Sequence, residues 1–276
     1  MSRPAGPGLR RPRRWAFYGF CGAVFFFLML PVLVVVPMSF SSSRYLQFPP
    51  PGFSLRWYSN YLRDPEWTGA TVRSLVIAGF VTLISTVVGT MASVGLVRGT
   101  FRGKQLIHSL IVSPMIVPVI IVAIALYFFY APFKTWGMPL IGTVPGLVIA
   151  HCLLALPLVV INVSATLRGF DRNLEMASQN LGAGPLVTFR RITFPLIRPG
   201  IVSGALFAFI TSFDELVIAI FISGSTARTL PVKMWEGIRL EIDPTIAAVS
   251  SLLIGLSVTL LLAIELLRRD RPGRAG

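Results

Sequence analysis

The sequence predicts an all-α membrane protein with six transmembrane helices, and three observations lead to this fold class. First, 54% of the 276 residues are hydrophobic and only 13% are charged. A soluble domain of that composition would expose too much apolar surface to water. Second, uncharged runs recur along the chain, each with the roughly 20 residues that a helix needs to cross a bilayer. Third, the Lys and Arg residues gather in alternate connecting segments.

Five of the predicted spans are free of charged residues: Trp15–Ser43, Ser74–Val97, Gln105–Phe133, Thr135–Leu167 and Pro244–Ile264. The remaining one, Ile201–Ile222, is interrupted only by Asp214 and Glu215. The first run is much longer than the roughly 7–15-residue core of a signal peptide, so we expect an uncleaved anchor. These boundaries divide the chain into a cytoplasmic basic tail (1–14), a six-span transmembrane domain (15–269) and a short cytoplasmic tail (270–276).

The distribution of basic residues predicts which side of the membrane each loop occupies. Six spans place both termini on one side, and the segments on that side hold most of the 25 Lys and Arg residues. Short cytoplasmic loops carry such an excess, so both termini are expected in the cytoplasm. The net charge of +14 is thereby explained as a topology signal, and no nucleic-acid partner is expected.

Prolines inside the spans predict bent helices, and the outer segments predict short additional helices. Pro114 and Pro118 lie in the third span and Pro157 in the fourth. Proline frees backbone carbonyl groups that must find other partners in lipid, so such helices pack against neighbours or line a wet cavity. The segment between the first and second spans is expected on the outer side of the membrane and contains SLRWYSNYLRDPEW. Its aromatic residues predict a short amphipathic helix at the membrane–water interface.

The sequence does not place candidate catalytic, metal-binding or cofactor-binding residues at the spacings that such sites need. Neither His108 nor His151 has a second ligand at metal-binding spacing, and we expect His151 to hydrogen-bond a neighbouring helix. The fragment GLVRGTFRGKQ lacks the first glycine of a phosphate loop and has Gln where Ser or Thr is required. We therefore predict that this chain has no phosphate-loop ATP site, metal or cofactor, and that it is not an enzyme.

Two adjacent carboxyl groups mark the fifth span as functional. Each charge at the centre of a span costs roughly 2.5–3.5 kcal/mol, so the pair must be shielded by protein or water. On a continuous helix, Glu215 falls in one stripe of small residues with Gly200, Gly204, Ala208, Thr211 and Ala219. Asp214 instead aligns with the ring of Phe207. A carboxyl group near aromatic rings suits a cation, and a structural pairing of the acids is the alternative. The expected substrate-pathway residues are Phe207, Thr211, Asp214 and Glu215.

A polar segment, Arg168–Pro199, separates the fourth and fifth spans. Leu174, Ala177 and Leu181 recur at helical spacing, and Gly182 then interrupts the pattern as a helix stop would. This spacing predicts a short helix across the membrane face. Such a helix docks onto a partner or rests on lipid headgroups.

The segment and the following span resemble the permease subunits of type I ABC importers. Their signature is Glu-Ala-Ala, three residues, Gly, nine residues, Ile, one residue and Leu-Pro. Here it falls on Met176, Ala177, Ser178, Gly182, Ile192 and Phe194-Pro195, with Glu175 one place before the usual acid. The resemblance implies a coupling helix between spans four and five that seats on the ATPase, with Glu175, Met176, Ala177, Ser178, Gly182, Ile192 and Pro195 as the coupling residues.

The resemblance also implies partners and a substrate. The partners are ABC ATPase subunits, a second permease subunit (a paralogue or an identical chain) and an extracytoplasmic binding protein, assembled at the bacterial inner membrane. The runs SFDELVIAIFISG and RTLPVKMWEGIRLEIDP are most similar to spermidine/putrescine-type permeases, which implies polyamine uptake by alternating access. Another small organic solute, such as an opine or amino-acid derivative, is the alternative. A proton- or sodium-coupled secondary transporter is the alternative of a different class.

Overall fold

The computed structural model describes residues 11–240 and 244–269, and the regular structure of these residues is helical. Twelve α-helices follow one another: α1 Arg11–Ser39, α2 Arg56–Arg63, α3 Pro65–Arg98, α4 Lys104–Val112, α5 Val119–Tyr130, α6 Val144–Gly169, α7 Asn173–Asn180, α8 Pro185–Thr188, α9 Phe194–Phe213, α10 Val217–Ile222, α11 Leu230–Leu240 and α12 Thr245–Arg269. A π-helical turn, Phe189–Thr193, joins α8 to α9. The predicted all-α class is confirmed.

Four helices in the described part of the chain are long and apolar enough to cross a membrane: Trp15–Ser39, Pro65–Arg98, Val144–Gly169 and Pro185–Phe213. Two further helical segments, Lys104–Met115 and Val119–Lys134, form a bent pair. If this pair is counted as one span, the number of spans in the described residues is five. The predicted sixth span corresponds to α12, whose apolar portion is described over Thr245–Thr259. The predicted tails, residues 1–14 and 270–276, lie almost entirely outside the described residues.

The structure divides into two compact units, one made of the described residues up to Pro65 and from Glu236 onward, the other of Glu66–Trp235. In the first unit, α1 packs beside α12 and α2 is the predicted short amphipathic helix. The Tyr58 hydroxyl in α2 lies 2.7 Å from the Ser39 hydroxyl and 2.6 Å from the Ser251 hydroxyl. These bonds tie the outer helix to the two long ones.

The second unit is organised around the packing of α6 against α9. Gly200, Gly204 and Ala208 are buried on the α9 face that meets α6. A Cβ added at Gly204 would lie 3.1 Å from the Cα of Val159, and one added at Gly200 would collide with Thr166. An added Cβ would crowd α6 at both glycines, so the predicted stripe of small residues is confirmed over these positions.

The third predicted span is two helices that meet at 104°, a much larger bend than a kink. The chain turns between Met115 and Val119, and Pro118 begins α5 in an extended conformation at φ −52° and ψ 128°. Pro118 has no N–H to continue the helix and disfavours helical geometry in the residue before it. The prolines therefore break this span.

The prediction of one continuous helix over Ile201–Ile222 is wrong at its C-terminal end. The helix stops at Phe213, and a separate short helix starts at Val217. The physical cause is the Glu215 carboxylate, which accepts the N–H groups of Ile218 and Ala219 at 2.9 Å each. A side chain that takes these donors competes with the helical backbone bonds.

Two other predicted boundaries differ from the structure. The fourth span begins at Val144 and not at Thr135, since Gly137 and Gly142 adopt positive φ values of 76° and 79° that interrupt helical geometry. The fifth span begins at Pro185, which has the fixed φ that suits a first helical turn. The polar segment between the two spans is therefore shorter than predicted.

Candidate coupling and substrate-pathway sites

The segment between α6 and α9 contains the short helix that the sequence predicts. This helix, α7, ends at Asn180, and Gly182 follows with φ +84°. The Gly182 N–H bonds to the carbonyl of Gln179, and the Ala183 N–H to that of Ser178. The left-handed glycine thus closes the C-terminus of α7 and reverses the chain towards α8.

Glu175 anchors α7 within the chain. Its Oε2 lies 2.8 Å from Nε of Arg98, the last residue of α3, and its Oε1 accepts a 2.7 Å hydrogen bond from the Thr193 hydroxyl. The Arg98 guanidinium also lies over the ring of Phe170, 4.7 Å from its centroid. One carboxylate therefore joins α7 to the end of the second span and to the π-helical turn.

Sequence reasoning missed Arg98 as a site residue, because it counted this side chain only among the topology-determining charges. Its partners Glu175 and Phe170 are distant in the sequence, so no local pattern indicates the contact. Ser178 is a second internal anchor, since its hydroxyl lies 3.2 Å from that of Thr188 in α8. Glu175 and Ser178 thus lie on the inner side of α7.

The outer side of α7 and of the turn after it is apolar. Met176 is 45% exposed and Leu181 is 89% exposed, and Ala177 is also exposed. Leu186 of α8, 70% exposed, continues this surface beyond Gly182. We call Met176, Ala177, Leu181 and Leu186 the apolar loop surface. Exposed apolar side chains that cluster on one loop are typical of a surface that meets another molecule.

A small pocket of about 240 Å³ lies between α7, the end of α3 and the π-helical turn. Val94 and Phe189 form apolar walls, while Arg98, Arg172 and Glu175 are its charged members. The pocket therefore adjoins the ion pair that anchors α7.

The other two predicted coupling residues lie at the start of the fifth span. Ile192 is half-buried within the π-helical turn, and Pro195 is exposed in the first turn of α9. Pro195 has no N–H for the carbonyl of Arg191, and the Phe194 N–H bonds instead to the carbonyl of Phe189, five residues back. The proline thus accounts for the wider turn at this point.

We expect Arg98→Gln to loosen α7 without disrupting the membrane helices. Loss of a charged contact with a partly buried carboxylate weakens attachment by about 1.5–3 kcal/mol, or roughly tenfold or more in local opening. Limited proteolysis of the purified protein in detergent, within residues 171–184, measures that opening. The control is Arg168→Gln, which removes the same charge from an exposed position on α6. The protease should cleave this variant at the wild-type rate. Equal cleavage of wild type and Arg98→Gln would contradict the anchoring role.

The second candidate site lies at the break between α9 and α10. Asp214 follows the last residue of α9, and its N–H bonds to the carbonyl of Ile210. Its side chain is exposed, whereas Glu215 is only 8% exposed. Phe207 is about half exposed and Thr211 is half-buried on α9. The two carboxyl groups therefore have different surroundings, and Asp214 is the accessible one.

His151 links α6 to this break. Its Nδ1 lies 3.0 Å from the Ser212 hydroxyl, so the predicted hydrogen bond between helices is confirmed. Its Nε2 lies 3.6 Å from Oε2 of Glu215. Sequence reasoning missed Ser212, because a lone serine in an apolar span has no distinctive spacing. The buried cluster comprises His151, Ser212 and Glu215.

Comparison with known proteins assigns the family. Residues 85–270 match the family described as "Binding-protein-dependent transport system inner membrane component". The chain is 38% identical to the putrescine transport system permease protein PotI of Escherichia coli K12 over 233 residues, 84% of this chain and 83% of that protein. It is 30% identical over 257 residues to the spermidine/putrescine transport system permease protein PotC of the same strain. This alignment covers 92% of this chain and 94% of PotC.

A solved structure shows the same fold at low sequence identity. It is a chain from the crystal structure of a bacterial ABC transporter involved in the import of the acidic polysaccharide alginate. The TM-score is 0.65 at 14% identity, covering 95% of this chain and 99% of that one. The chain therefore belongs to the inner-membrane permease components of binding-protein-dependent ABC transport systems.

Proposed function

We propose that this chain is one of two permease subunits in an ATP-driven importer of polyamines such as spermidine or putrescine. The observation that carries the substrate assignment is the exposed carboxyl group of Asp214 at a helix break in the fifth span. An accessible carboxylate within a span suits an organic cation, and the half-exposed ring of Phe207 lies on the same helix two turns earlier. The names of PotI and PotC support the same substrate class.

In the proposed topology, six spans cross the bacterial inner membrane and both termini are cytoplasmic. The transmembrane domain covers residues 15–269, with tails at 1–14 and 270–276. The excess of Lys and Arg in alternate loops supports this orientation. The broken third span counts as one crossing in this arrangement, and α12 supplies the sixth.

In the proposed coupling mechanism, α7 seats on an ABC ATPase subunit. The apolar loop surface supplies the contact, while Glu175, Ser178, Ile192 and Pro195 hold α7 and the start of the fifth span in one arrangement. Because Glu175 pairs with Arg98, movement of α7 is transmitted to the second span as well as to the fifth. ATP binding and hydrolysis in the partner would thus rock several spans together.

In the proposed substrate pathway, Asp214 contacts the ammonium groups of the substrate, and Phe207 and Thr211 line the approach to it. Glu215 contributes by holding the break open, since both of its carboxylate oxygens accept backbone N–H groups. The extracytoplasmic binding protein would deliver substrate to this pathway, and a second permease subunit would complete its wall.

The substrate is tested by uptake in bacteria that lack their own polyamine importers and express the complete system. We expect uptake of labelled spermidine or putrescine, inhibited by an excess of either polyamine but not by opines or neutral amino-acid derivatives. Absence of uptake of either polyamine, together with uptake of a labelled opine or amino-acid derivative, would assign another small organic solute.

A further inference from the structure

We propose that His151 is a positioning residue that holds the break in the fifth span in the conformation that exposes Asp214. This inference rests on the proposed role of Asp214 in the substrate pathway. It assigns a transport role to a buried side chain on a different span, which does not itself reach the substrate.

The geometry places His151 against both sides of the break. Ser212, the residue before the last of α9, lies 3.0 Å from its Nδ1. Glu215, which follows the end of α9, lies 3.6 Å from its Nε2. Asp214 is between these two residues in the chain and is exposed, whereas both of them are buried. A single imidazole is therefore hydrogen-bonded to the chain before the accessible carboxyl group and lies beside the carboxylate that follows it.

The backbone on both sides depends on these contacts. Glu215 bonds to the N–H groups of Ile218 and Ala219 and so starts α10 at a new angle. If the carboxylate turned away, the same N–H groups could return to the carbonyls of residues 214 and 215 and rebuild a continuous helix. His151 lies beside the Glu215 carboxylate and restricts this rotation, which disfavours the continuous helix.

α6 offers a rigid platform for this role. Ala155 and Val159, one and two turns after His151, are fully buried in the core. Val159 lies against the backbone of α9 at Gly204, where an added Cβ would come within 3.1 Å of the Val159 Cα. The imidazole is thus carried by a helix that is closely packed against α9.

Packing alone does not account for a histidine here. The side chain is 1% exposed, and its Nε2 has no hydrogen-bond partner among the described residues. Burial of an unsatisfied polar group is unfavourable, and a leucine of similar volume would fill the space without that cost. The imidazole is therefore explained by its contacts with the break.

The test measures ATP-dependent polyamine uptake by the complete importer in proteoliposomes, normalised to assembled complex and to ATP hydrolysed. We expect His151→Leu to lower uptake per ATP about fivefold to tenfold, the effect of losing one buried hydrogen bond. His151→Asn, whose amide reaches the position of Nδ1, should recover at least half of the wild-type value. Ser212→Ala removes the partner hydroxyl and should reproduce the loss if His151→Leu does not assemble.

Two further comparisons separate positioning from general stability. Ser203→Ala removes another hydrogen bond between α9 and α6, that to Asn162, away from the break, and should leave uptake unchanged. In an Asp214→Asn background, His151→Leu should lower uptake per ATP by less than about a further twofold. Both substitutions weaken the same contact, that between Asp214 and the substrate, so their effects should not add. Losses that multiply in the double variant would overturn the positioning role, as would normal uptake in both His151→Leu and Ser212→Ala.

The outcomes also distinguish this inference from the proposed function. Normal uptake in Asp214→Asn would contradict the assignment of Asp214 to the substrate pathway. It would also contradict the positioning role of His151, which depends on that assignment. Low uptake in Asp214→Asn, combined with normal uptake in the His151 and Ser212 variants, would remove only the positioning role.

Discussion

Asp214→Asn is expected to lower polyamine uptake by about tenfold to a hundredfold while the transporter assembles normally. The substitution keeps the size of the side chain and removes its charge, and contacts between charged groups contribute about 1.5–3 kcal/mol each. Because Asp214 is exposed at the end of α9, its loss should leave helix packing intact. Uptake of labelled spermidine by whole cells measures the effect.

Asp171→Asn is the matched control for this substitution. Asp171 is exposed beside α7, and its Oδ1 accepts the N–H of Asn173, a bond that asparagine can keep. The control removes the same charge from the chain and should transport normally. Wild-type uptake in Asp214→Asn would show that the carboxylate has no part in the pathway.

Gly182→Val is expected to abolish uptake and co-purification of the ATPase while membrane insertion remains normal. The residue has φ +84°, and a β-branched side chain strains the backbone there. No atom lies within 4 Å of an added Cβ, so the effect arises from the turn and not from a clash. The strained turn would redirect the apolar loop surface and reduce association at least about tenfold.

Gly184→Val provides the comparison. Gly184 also has open space around a Cβ, but its φ of −66° and ψ of 165° are accessible to valine. This variant should bind the ATPase and transport polyamine. Equal ATPase recovery from both variants would mean that the turn at Gly182 does not position the docking surface.

Sequence patterns located the helices better than their ends. Long apolar runs predicted α1, α3, α6 and α12, because a bilayer requires about 20 apolar residues in each crossing. The turn at Gly182 was also predictable, because glycine after a helical repeat is a common C-terminal signal. The small residues Gly200 and Gly204 correctly indicated where another helix approaches α9.

The breaks in the third and fifth spans were not fully predictable, because they depend on specific competing contacts. Proline indicated a bend near Pro118, but the 104° angle results from two separate helices and their packing. At Glu215, periodicity assumed a continuous helix, whereas the carboxylate takes backbone N–H groups from α10. The same limit applies to Arg98, whose partner Glu175 is distant in sequence and is brought near only by folding.

The most direct test of the central claim is the energy source of polyamine uptake in proteoliposomes that contain the purified permeases, the ATPase and the binding protein. We predict that internal ATP drives uptake, that a non-hydrolysable ATP analogue does not, and that proton or sodium gradients have no effect without ATP. Uptake driven by a proton or sodium gradient in the absence of ATP would contradict the account and identify a secondary transporter.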